Sequence, residues 1–263
     1  MGYPKISVLI TVFNHENYLK TSIESILSQD YKNFEIVVVD DGSTDSSKKI
    51  INKFKDKRIK KIFFKKNQGR TKCLNYGLKK CIGQYIAIQD ADDISKKTRL
   101  KKQYAFFKRN SNFALLGSSY SLIDKKNKII ETRIMKNSFN LKNKLFFNNL
   151  IAHSTVMFRK SIISKIGNYP EKYIYAQDYA FYLKVLTKYK IYLLTDNLLN
   201  LRVNHDSMTS RLNKTFLIQK EEFNCLIYVI KNFPLNLIDI IRVFFKLNKI
   251  FLKVVIIFIK KLF

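Results

Sequence analysis

Apolar positions in the first hundred residues alternate between two spacings. Ile6 to Phe13 is a continuous run rich in apolar and β-branched residues, which is typical of a strand buried on both faces. Apolar residues between 19 and 27 then recur at helical spacing. The same alternation continues and predicts strands at 34–39, 59–64 and 85–89, with helices at 44–54 and 71–81. This order predicts an α/β fold with a Rossmann-like, mostly parallel central sheet flanked by helices.

The pattern becomes less regular after residue 95. It predicts a basic helix that ends near Arg109, strands at 113–119 and 153–159, a polar hairpin turn at 124–127, and helices at 143–149 and 178–188. Two short strands are predicted within 191–203, and helical patterns resume near Leu217. Because no internal repeat or flexible linker interrupts the chain, we predict one domain over 1–212 and a C-terminal helical tail over 213–263.

The predicted tail ends in a basic amphipathic segment. Between Ile238 and Phe263, six lysine and arginine residues and a single acid are interleaved with Ile, Phe, Leu and Val. This pattern is typical of a helix that lies on an anionic membrane surface. The alternatives are a helix that packs on its own domain or on a second subunit, which leaves a dimer open. The longest apolar run is too short to span a bilayer.

The net charge of +29 favours an anionic partner, which leaves nucleic acid, an anionic membrane surface or a phosphorylated substrate. An A/T-rich genome would produce a similar lysine-rich composition. Three cysteines without CxxC spacing predict reduced, buried thiols and no zinc site or disulfide framework. The N-terminus lacks a basic start and a small-residue cleavage site, so we expect a first strand and a cytoplasmic protein, peripheral at most on the inner face of the plasma membrane.

Polar side chains stand where the predicted strands end. Asn14 follows the first strand, Asp41 follows the second, and Asp90 and Asp92 follow the fourth. Because ligands bind beyond the carboxyl ends of such strands, we expect these groups to converge. Carboxylates this close repel one another unless a cation neutralises them, and Mn²⁺ and Mg²⁺ prefer oxygen ligands. The sequence therefore predicts a divalent metal site at Asp90 and Asp92.

Other polar residues have two interpretations each. Gly69 and Arg70 precede a predicted helix whose N-terminus favours an anion, although the segment matches neither GxGxxG nor the Walker pattern. Asp178 begins a helix, where an acid also stabilises the dipole. His153 is either a cleft residue or a hydrogen-bonded core histidine. The side chains of Tyr169, Tyr173 and Tyr175 either stack on a ligand or cover the core.

Six segments together resemble a known family: SVLITVFN, VVVDDGSTD, NQGRTKCLNYGL, GQYIAIQDADD, HSTVMFRK and QDYAFYLKVL. Over roughly residues 5–210 their order is similar to that of glycosyltransferase family 2, of the GT-A fold and bacterial cell-surface glycan type. The resemblance implies a nucleotide-sugar-binding half at about 1–100 and an acceptor half at 101–212. It implies inverting transfer of a hexose or N-acetylhexosamine from a nucleotide-diphosphate sugar, with UDP favoured, to a glycan or lipid-linked saccharide acceptor.

The resemblance also implies residue roles. Asp92, with Asp90, would hold Mn²⁺ or Mg²⁺, and Asp178 would be the catalytic base. Gln177 stands where the family has an acid before this base, and Cys73 stands where a small alanine is usual. The family more often has histidine two residues after the arginine of LRVNHDSMTS, where this chain has Asn204 followed by His205, so neither is assigned as a ligand. The residues implied to contact the nucleotide sugar are Thr11, Val12, Phe13, Asn14, Asp41, Asn67, Gly69, Arg70, Asp90 and Ala91.

Two other classes are alternatives. A Mg²⁺-dependent nucleotidyl or phosphoryl transferase would also use an aspartate cluster, but it would need a glycine-rich phosphate loop, and no glycine lies between Ile6 and Asn17. A basic nucleic-acid-binding protein would have arginine-rich recognition elements, whereas lysine dominates this chain. We therefore expect no nucleic-acid partner.

Overall fold

The computed structural model describes residues 5–137, 141–203 and 215–262, with side chains described as far as residue 257. Asn204 and His205 therefore lie outside the described residues. The strands are β1 (Ile6–Val12), β2 (Phe34–Asp40), β3 (Ile59–Phe63), β4 (Tyr85–Asp90), β5 (Ile94–Ser95), β6 (Phe113–Ile123), β7 (Ile129–Arg133), β8 (Met157–Arg159) and β9 (Lys190–Arg202). The helices are α1 (Leu19–Leu27), α2 (Ser47–Lys53), α3 (Arg70–Lys80), α4 (Arg99–Arg109), α5 (Leu141–Phe147), α6 (Ile163–Ile166), α7 (Gln177–Leu186), α8 (Thr215–Asn232) and α9 (Leu237–Leu262).

Within the described residues, all nine strands form one sheet. Its order is β3-β2-β1-β4-β8-β6-β9-β5, and β7 pairs with β6 outside this path. The strand pairings make β1, β2, β3, β4, β6 and β9 run in one direction, and β5, β7 and β8 run in the other. The predicted mostly parallel α/β sheet is therefore confirmed.

Both faces of the sheet are covered, which explains the continuous apolar runs of its central strands. Alternate residues of β1 and β2 point to opposite faces. One face packs against α1, α2 and α4 and the other packs against α3, α5, α7 and α8. Every residue of β2 is buried, including Asp40 at its end. The carboxyl ends of β1, β2 and β4 therefore lie side by side at one rim of a rigid sheet.

Two predicted strands differ from the structure. The two short strands predicted within 191–203 are one strand, β9, whose register against β6 shifts near Ser119. A bulge of this kind places extra residues in one strand, so the polar residues Thr195 and Asp196 leave the ladder without ending the strand. The strand predicted at 153–159 begins with a 3-10 turn at His153–Thr155, and only β8 is extended. Thr155 stabilises that turn by donating its hydroxyl to the Ala152 carbonyl at 2.7 Å.

The predicted C-terminal helical tail consists of α8 and α9. Buried side chains of α8, including Cys225 and Val229, belong to the same core as α3 and α7. In the described part of α9, only Asp239, Val243 and Ile250 are buried. None of the described helices is both long enough and apolar enough to cross a membrane. The three cysteines are buried free thiols.

Candidate active site

The polar residues at the strand ends lie next to one another, as the sequence predicts. In the parallel ladders, Thr11 at the end of β1 pairs with Asp90 on one side and with Val39 on the other. Val12 pairs with Asp40, so Asp41 follows directly beside β1. Adjacent strands in a sheet are about 4.8 Å apart. The carboxylates of two different loops therefore surround the end of β1.

The loops after β1 and β2 are joined by a set of hydrogen bonds between residues 14–16 and 43–47, which we call the loop clasp. The Asn14 backbone, at a φ of 57°, donates to Ser43 Oγ at 3.0 Å, and Asn14 Oδ1 accepts from the Thr44 N–H at 2.9 Å. The Glu16 carboxylate accepts from the Ser46 N–H at 2.8 Å. Each loop donates hydrogen bonds to the other and accepts hydrogen bonds from it, so the two loops form one unit.

Asp41 connects the end of β2 to the loop before α3. Its carboxylate is 3% exposed and accepts from the backbone N–H groups of Gln68 and Gly69 at 2.7 and 2.9 Å. Gly42 makes this approach possible: its φ is +71°, and a Cβ there would lie 2.7 Å from the Lys66 carbonyl carbon. In the same loop Asn67 Oδ1 accepts from the Gly69 N–H at 3.1 Å. Asn67 and Gly69 thus stand at the same rim as Asp41.

Arg70, at the start of α3, reaches across to the end of β4. Its Nη2 donates to Asp90 Oδ1 at 2.5 Å and to His153 Nδ1 at 2.9 Å. A guanidinium only donates, so Nδ1 accepts and the proton of the neutral imidazole is on Nε2, which lies 3.1 Å from the Tyr169 hydroxyl. Burial raises the pKa of the Asp90 carboxyl, but the charge of Arg70 and the interactions with His153 together outweigh burial and lower this pKa. Asp90 is therefore held ionised.

The pKa values of the other two acids after β4, Asp92 and Asp93, are raised instead of lowered. Burial, followed by repulsion from the neighbouring carboxylates, raises the pKa of Asp93 well above its usual range. Asp93 is buried, and its Oδ1 accepts from the Arg202 N–H at 2.8 Å. Burial and the charge of Asp90 also raise the pKa of Asp92. The crowding of acids inferred from the sequence is thus present in the structure.

A buried arginine supports the loop that carries these acids. Arg99 is fully buried and donates to the Ile88 carbonyl at 2.8 Å and to Gln89 Oε1 at 2.9 Å. Gln89 Nε2 in turn donates to the Asp93 carbonyl at 2.8 Å. Burial lowers the pKa of Arg99 to about 10, so the guanidinium remains charged at neutral pH. The one inward-facing cation of the predicted basic helix therefore fixes the position of the loop at 90–93.

Asp178 lies in the first turn of α7. Its Oδ1 accepts from the Tyr179 N–H at 2.7 Å, and its Oδ2 accepts from Asn149 Nδ2 at 3.1 Å. Burial lowers the pKa of the Arg70 guanidinium, but nearby carboxylates raise it overall. Asp90 has the largest such influence, followed by Asp178 and Asp92. The structure therefore brings Asp178 to the same cluster of charges, 85 or more residues along the chain from the other acids.

The other residues expected at the site differ in how far their side chains are exposed. Phe13 is 43% exposed, whereas the side chains of Val12 and Ala91 are buried in the core, so only their backbone faces the rim. Both interpretations of His153 hold, because it is buried and also bonded within the site. The stacking interpretation is wrong for Tyr169 and Tyr173, which are 2% and 4% exposed.

Sequence reasoning missed three residues that hold the site in place: Arg99, Asn149 and Arg202. The polar loop sequence around Asn149 gives no sign of its bond to Asp178. The Arg202 guanidinium donates to the carbonyl oxygens of Asp92 and Asp124, and nothing in the sequence indicates these backbone acceptors.

A Rossmann-like sheet whose rim carries strand-end aspartates beside a buried arginine is the arrangement of an α/β enzyme that binds its ligand beyond the carboxyl ends of the strands. The chain belongs to glycosyl transferase family 2, whose family model matches residues 7–167. An uncharacterized glycosyltransferase of Methanocaldococcus jannaschii is 37% identical over 81% of this chain and 76% of its own length. Family membership decides between the enzyme classes that the sequence leaves open.

Solved structures show the same fold. S. aureus TarS 1–349 in complex with UDP-GlcNAc has a TM-score of 0.68 at 23% identity, over 84% of this chain and 70% of that chain. A longer TarS structure is covered over 39% of its length. The mannosyltransferase PcManGT from Pyrobaculum calidifontis, in complex with GDP-Man and Mn²⁺, has a TM-score of 0.66 at 14% identity, over 89% of this chain and 66% of that chain. The GT-A fold inferred from the sequence is confirmed.

Proposed function

We propose that this glycosyltransferase inverts the anomeric centre while it moves a hexose or N-acetylhexosamine from a UDP-sugar to a glycan or lipid-linked acceptor in surface polysaccharide synthesis. The observation that carries the proposal is the convergence of Asp90, Asp92 and Asp178 around Arg70 at the carboxyl rim of the sheet. The UDP-GlcNAc bound by TarS and the GDP-Man bound by PcManGT support a nucleotide-diphosphate sugar as donor.

Asp178 is the group best suited to accept the proton of the acceptor hydroxyl. Asp90 is held as an anion by Arg70 and has a lowered pKa, which makes it a poor base. Asp93 is buried with a raised pKa and is bonded to the Arg202 backbone. Asp178 is only partly buried, and two hydrogen bonds fix its orientation. As the acceptor oxygen forms its bond to the anomeric carbon, the bond to the diphosphate breaks and the proton passes to Asp178.

The residues at the rim fit a divalent cation. In the part of the chain that the structure describes, no three His, Cys, Asp or Glu side chains form a metal-binding group. Mg²⁺ and similar ions usually take one or two carboxylates together with substrate phosphates, so Asp92 and Asp90 suffice for the protein's share. A cation would also relieve the repulsion that raises the pKa of Asp92. When bound, it would neutralise the charge of the leaving diphosphate.

The nucleotide would bind along the loop clasp. Asp41 would accept a hydrogen bond from the base, since a carboxylate oxygen can accept more than one. The exposed ring of Phe13 would stack on it, and Thr11 and Asn14 would line the same side. Asn67, Gly69, Arg70 and the backbone of Val12 and Ala91 complete the set that we propose for the donor.

A donor screen tests the proposal directly. Each nucleotide sugar is incubated with the protein and Mn²⁺ or Mg²⁺, and release of nucleotide diphosphate is followed. We expect UDP release from a UDP-hexose or UDP-N-acetylhexosamine, and an added acceptor should increase it. Release of a nucleoside monophosphate or of pyrophosphate would contradict glycosyl transfer, because either would require cleavage of a different bond.

We also propose that the exposed face of α9 lies on an anionic membrane surface. Phe244, Phe245, Phe251 and Leu252 are each 59–67% exposed. At 100° per residue, Phe245 and Leu252 lie on the side of the helix opposite the buried Val243 and Ile250. Phe244 and Phe251 lie on the adjoining side, about 100° around the helix axis from those two buried residues. The cations Arg242, Lys249 and Lys253 share one flank of this face.

A bilayer fits this face better than a second copy of the chain does. Two copies would bring together chains that each carry a net charge of +29, whereas anionic lipid headgroups attract that charge. The helix would lie in the interface with its phenylalanines below the headgroups, since none of the described helices can span the bilayer. Such a position would also keep the active site near a lipid-linked acceptor.

Vesicle sedimentation tests the membrane surface. We expect the wild type to bind phosphatidylcholine vesicles that contain phosphatidylglycerol, and to be released by salt. Replacing Phe244 and Phe251 by glutamate should weaken binding about 10-fold or more, because two apolar anchors are lost. Ile130→Glu is the control, since Ile130 is equally exposed on β7. If the wild type does not bind these vesicles and light scattering shows a dimer, the membrane proposal is wrong and a second copy covers the face.

A further inference from the structure

Glu221 of α8 is a buried acid that accepts hydrogen bonds, among the residues that the structure describes, from three backbone groups of one loop. The side chain is 2% exposed. Its Oε1 accepts from the Ile174 N–H at 2.8 Å, and its Oε2 accepts from the N–H groups of Tyr175 and Ala176 at 2.9 and 2.8 Å. Gln177 and Asp178 follow directly and begin α7. A carboxylate from the C-terminal tail therefore holds the segment that leads to the proposed catalytic base.

The loop also packs against the same helix. Tyr173 of the loop and Cys225, one helical turn after Glu221, are both buried in the same hydrophobic core. The Tyr173 carbonyl also accepts from the Thr71 hydroxyl at 2.9 Å, which links the loop to α3 next to Arg70. Because α8 is packed in the core through residues such as Val229, its surface is a rigid support for the loop.

The interaction requires a carboxylate. Three consecutive N–H groups point to one side of the chain and form a small anion-binding concavity. Two oxygens without hydrogens satisfy all three donors, and the negative charge lies beside the N-terminus of α7, where the helix dipole favours it. A glutamine would present an amide N–H₂ to at least one of these backbone donors. That donor would then be buried without an acceptor.

We propose that Glu221 is a positioning residue for acceptor activation, and that it acts by fixing residues 174–176 and thereby the orientation of Asp178 toward the acceptor hydroxyl. This inference rests on the proposed function, because it assigns to Asp178 the role of base. It also makes α8 part of the acceptor side of the enzyme, beyond the boundary at residue 212 that the sequence suggests. The donor side, built from the loop clasp and Arg70, does not contact Glu221.

The test compares Glu221→Gln with Glu222→Gln. Glu222 is the adjacent acid on α8 and pairs with Lys246 of α9 at 3.5 Å, so it matches the charge change without touching the loop. We expect Glu221→Gln to lower kcat for transfer about 10-fold or more, while the Kd for UDP stays within about twofold of the wild type. Amide hydrogen exchange of the peptide around 174–178 should become faster in Glu221→Gln alone.

Donor turnover separates this inference from the proposed function. If the wild type releases UDP from no donor, the proposed function fails. If the wild type is active and both variants transfer sugar equally well, the role of Glu221 is wrong. Equal loss of transfer and of UDP binding would indicate a general effect on folding and would also contradict it. If Glu221→Gln is not recovered folded, Glu221→Asp, which keeps the charge but reaches less far, must show the same separation of kcat from Kd.

Discussion

Asp178→Asn is expected to lower the rate of sugar transfer by about 10²- to 10⁴-fold, the usual contribution of a general base. Asparagine has nearly the same shape as aspartate but cannot take the proton of the acceptor hydroxyl. Its carbonyl oxygen can still accept from the Tyr179 N–H, which Asp178 Oδ1 accepts at 2.7 Å. The Asn149 amide, now at 3.1 Å from Oδ2, can rotate to present its oxygen. The fold should therefore be retained.

The measurement is nucleotide-diphosphate release at saturating donor and acceptor, together with the Kd for UDP by calorimetry. UDP should bind as it does to the wild type, because Asp178 is assigned to the acceptor. Asp30→Asn is the control: this partly exposed acid pairs with Lys97 at 3.6 Å, away from the rim. Full transfer activity in Asp178→Asn would remove Asp178 as the base and leave the proposed mechanism without one.

Asp92→Asn is expected to reduce transfer by about 10²-fold or more and to weaken the binding of Mn²⁺ in the presence of UDP. Burial and the charge of Asp90 already raise the pKa of Asp92, so its ionised form needs a nearby positive charge. Asparagine removes that negative charge and a strong oxygen ligand. Since the backbone of this loop is held by Arg202 and by Gln89, the change should not disturb it.

Free Mn²⁺ can be followed by electron paramagnetic resonance while UDP is titrated, and activity is assayed with and without a chelator. Asp196→Asn provides the control, because Asp196 is a partly exposed acid that pairs with Lys102 at 2.5 Å. The metal assignment would be abandoned if chelation left the wild-type rate unchanged. It would also be abandoned if Asp92→Asn bound Mn²⁺ as tightly as the control.

The part of the rim that we propose to bind the donor could be predicted from the sequence because it depends on local patterns. Continuous apolar runs located β1, β2 and β4, and parallel strands bring their carboxyl ends together. Asp41, Asp90 and Asp92 follow those runs directly, so the order and direction of the strands are enough to predict that these acids lie close together. Only the family resemblance indicated Asp178. It lies so far along the chain from the other acids that no local sequence pattern predicts its proximity to them.

The supporting residues could not be predicted, because each resembles an ordinary surface residue in the sequence. Arg99 stands in a basic helix whose other cations face solvent, and only tertiary packing turns it inward. Glu221 lies between Lys220 and Glu222, which suggests a solvated charge run. Polar side chains interrupt the apolar pattern of β9 at its bulge, so the sequence predicts a break there. In each case a long-range contact overrides the local signal.

The loop clasp has a thermodynamic consequence for the donor. Its hydrogen bonds between residues 14–16 and 43–47 are made within the protein, so they exist before any nucleotide arrives. A ligand that orders loops on binding loses affinity through the entropy of that ordering and through the small fraction of competent conformers. Here that entropy is lost during folding. The affinity for the donor should therefore depend on the contacts that the nucleotide itself makes. Differences in affinity between nucleotides should appear mainly in their dissociation rates.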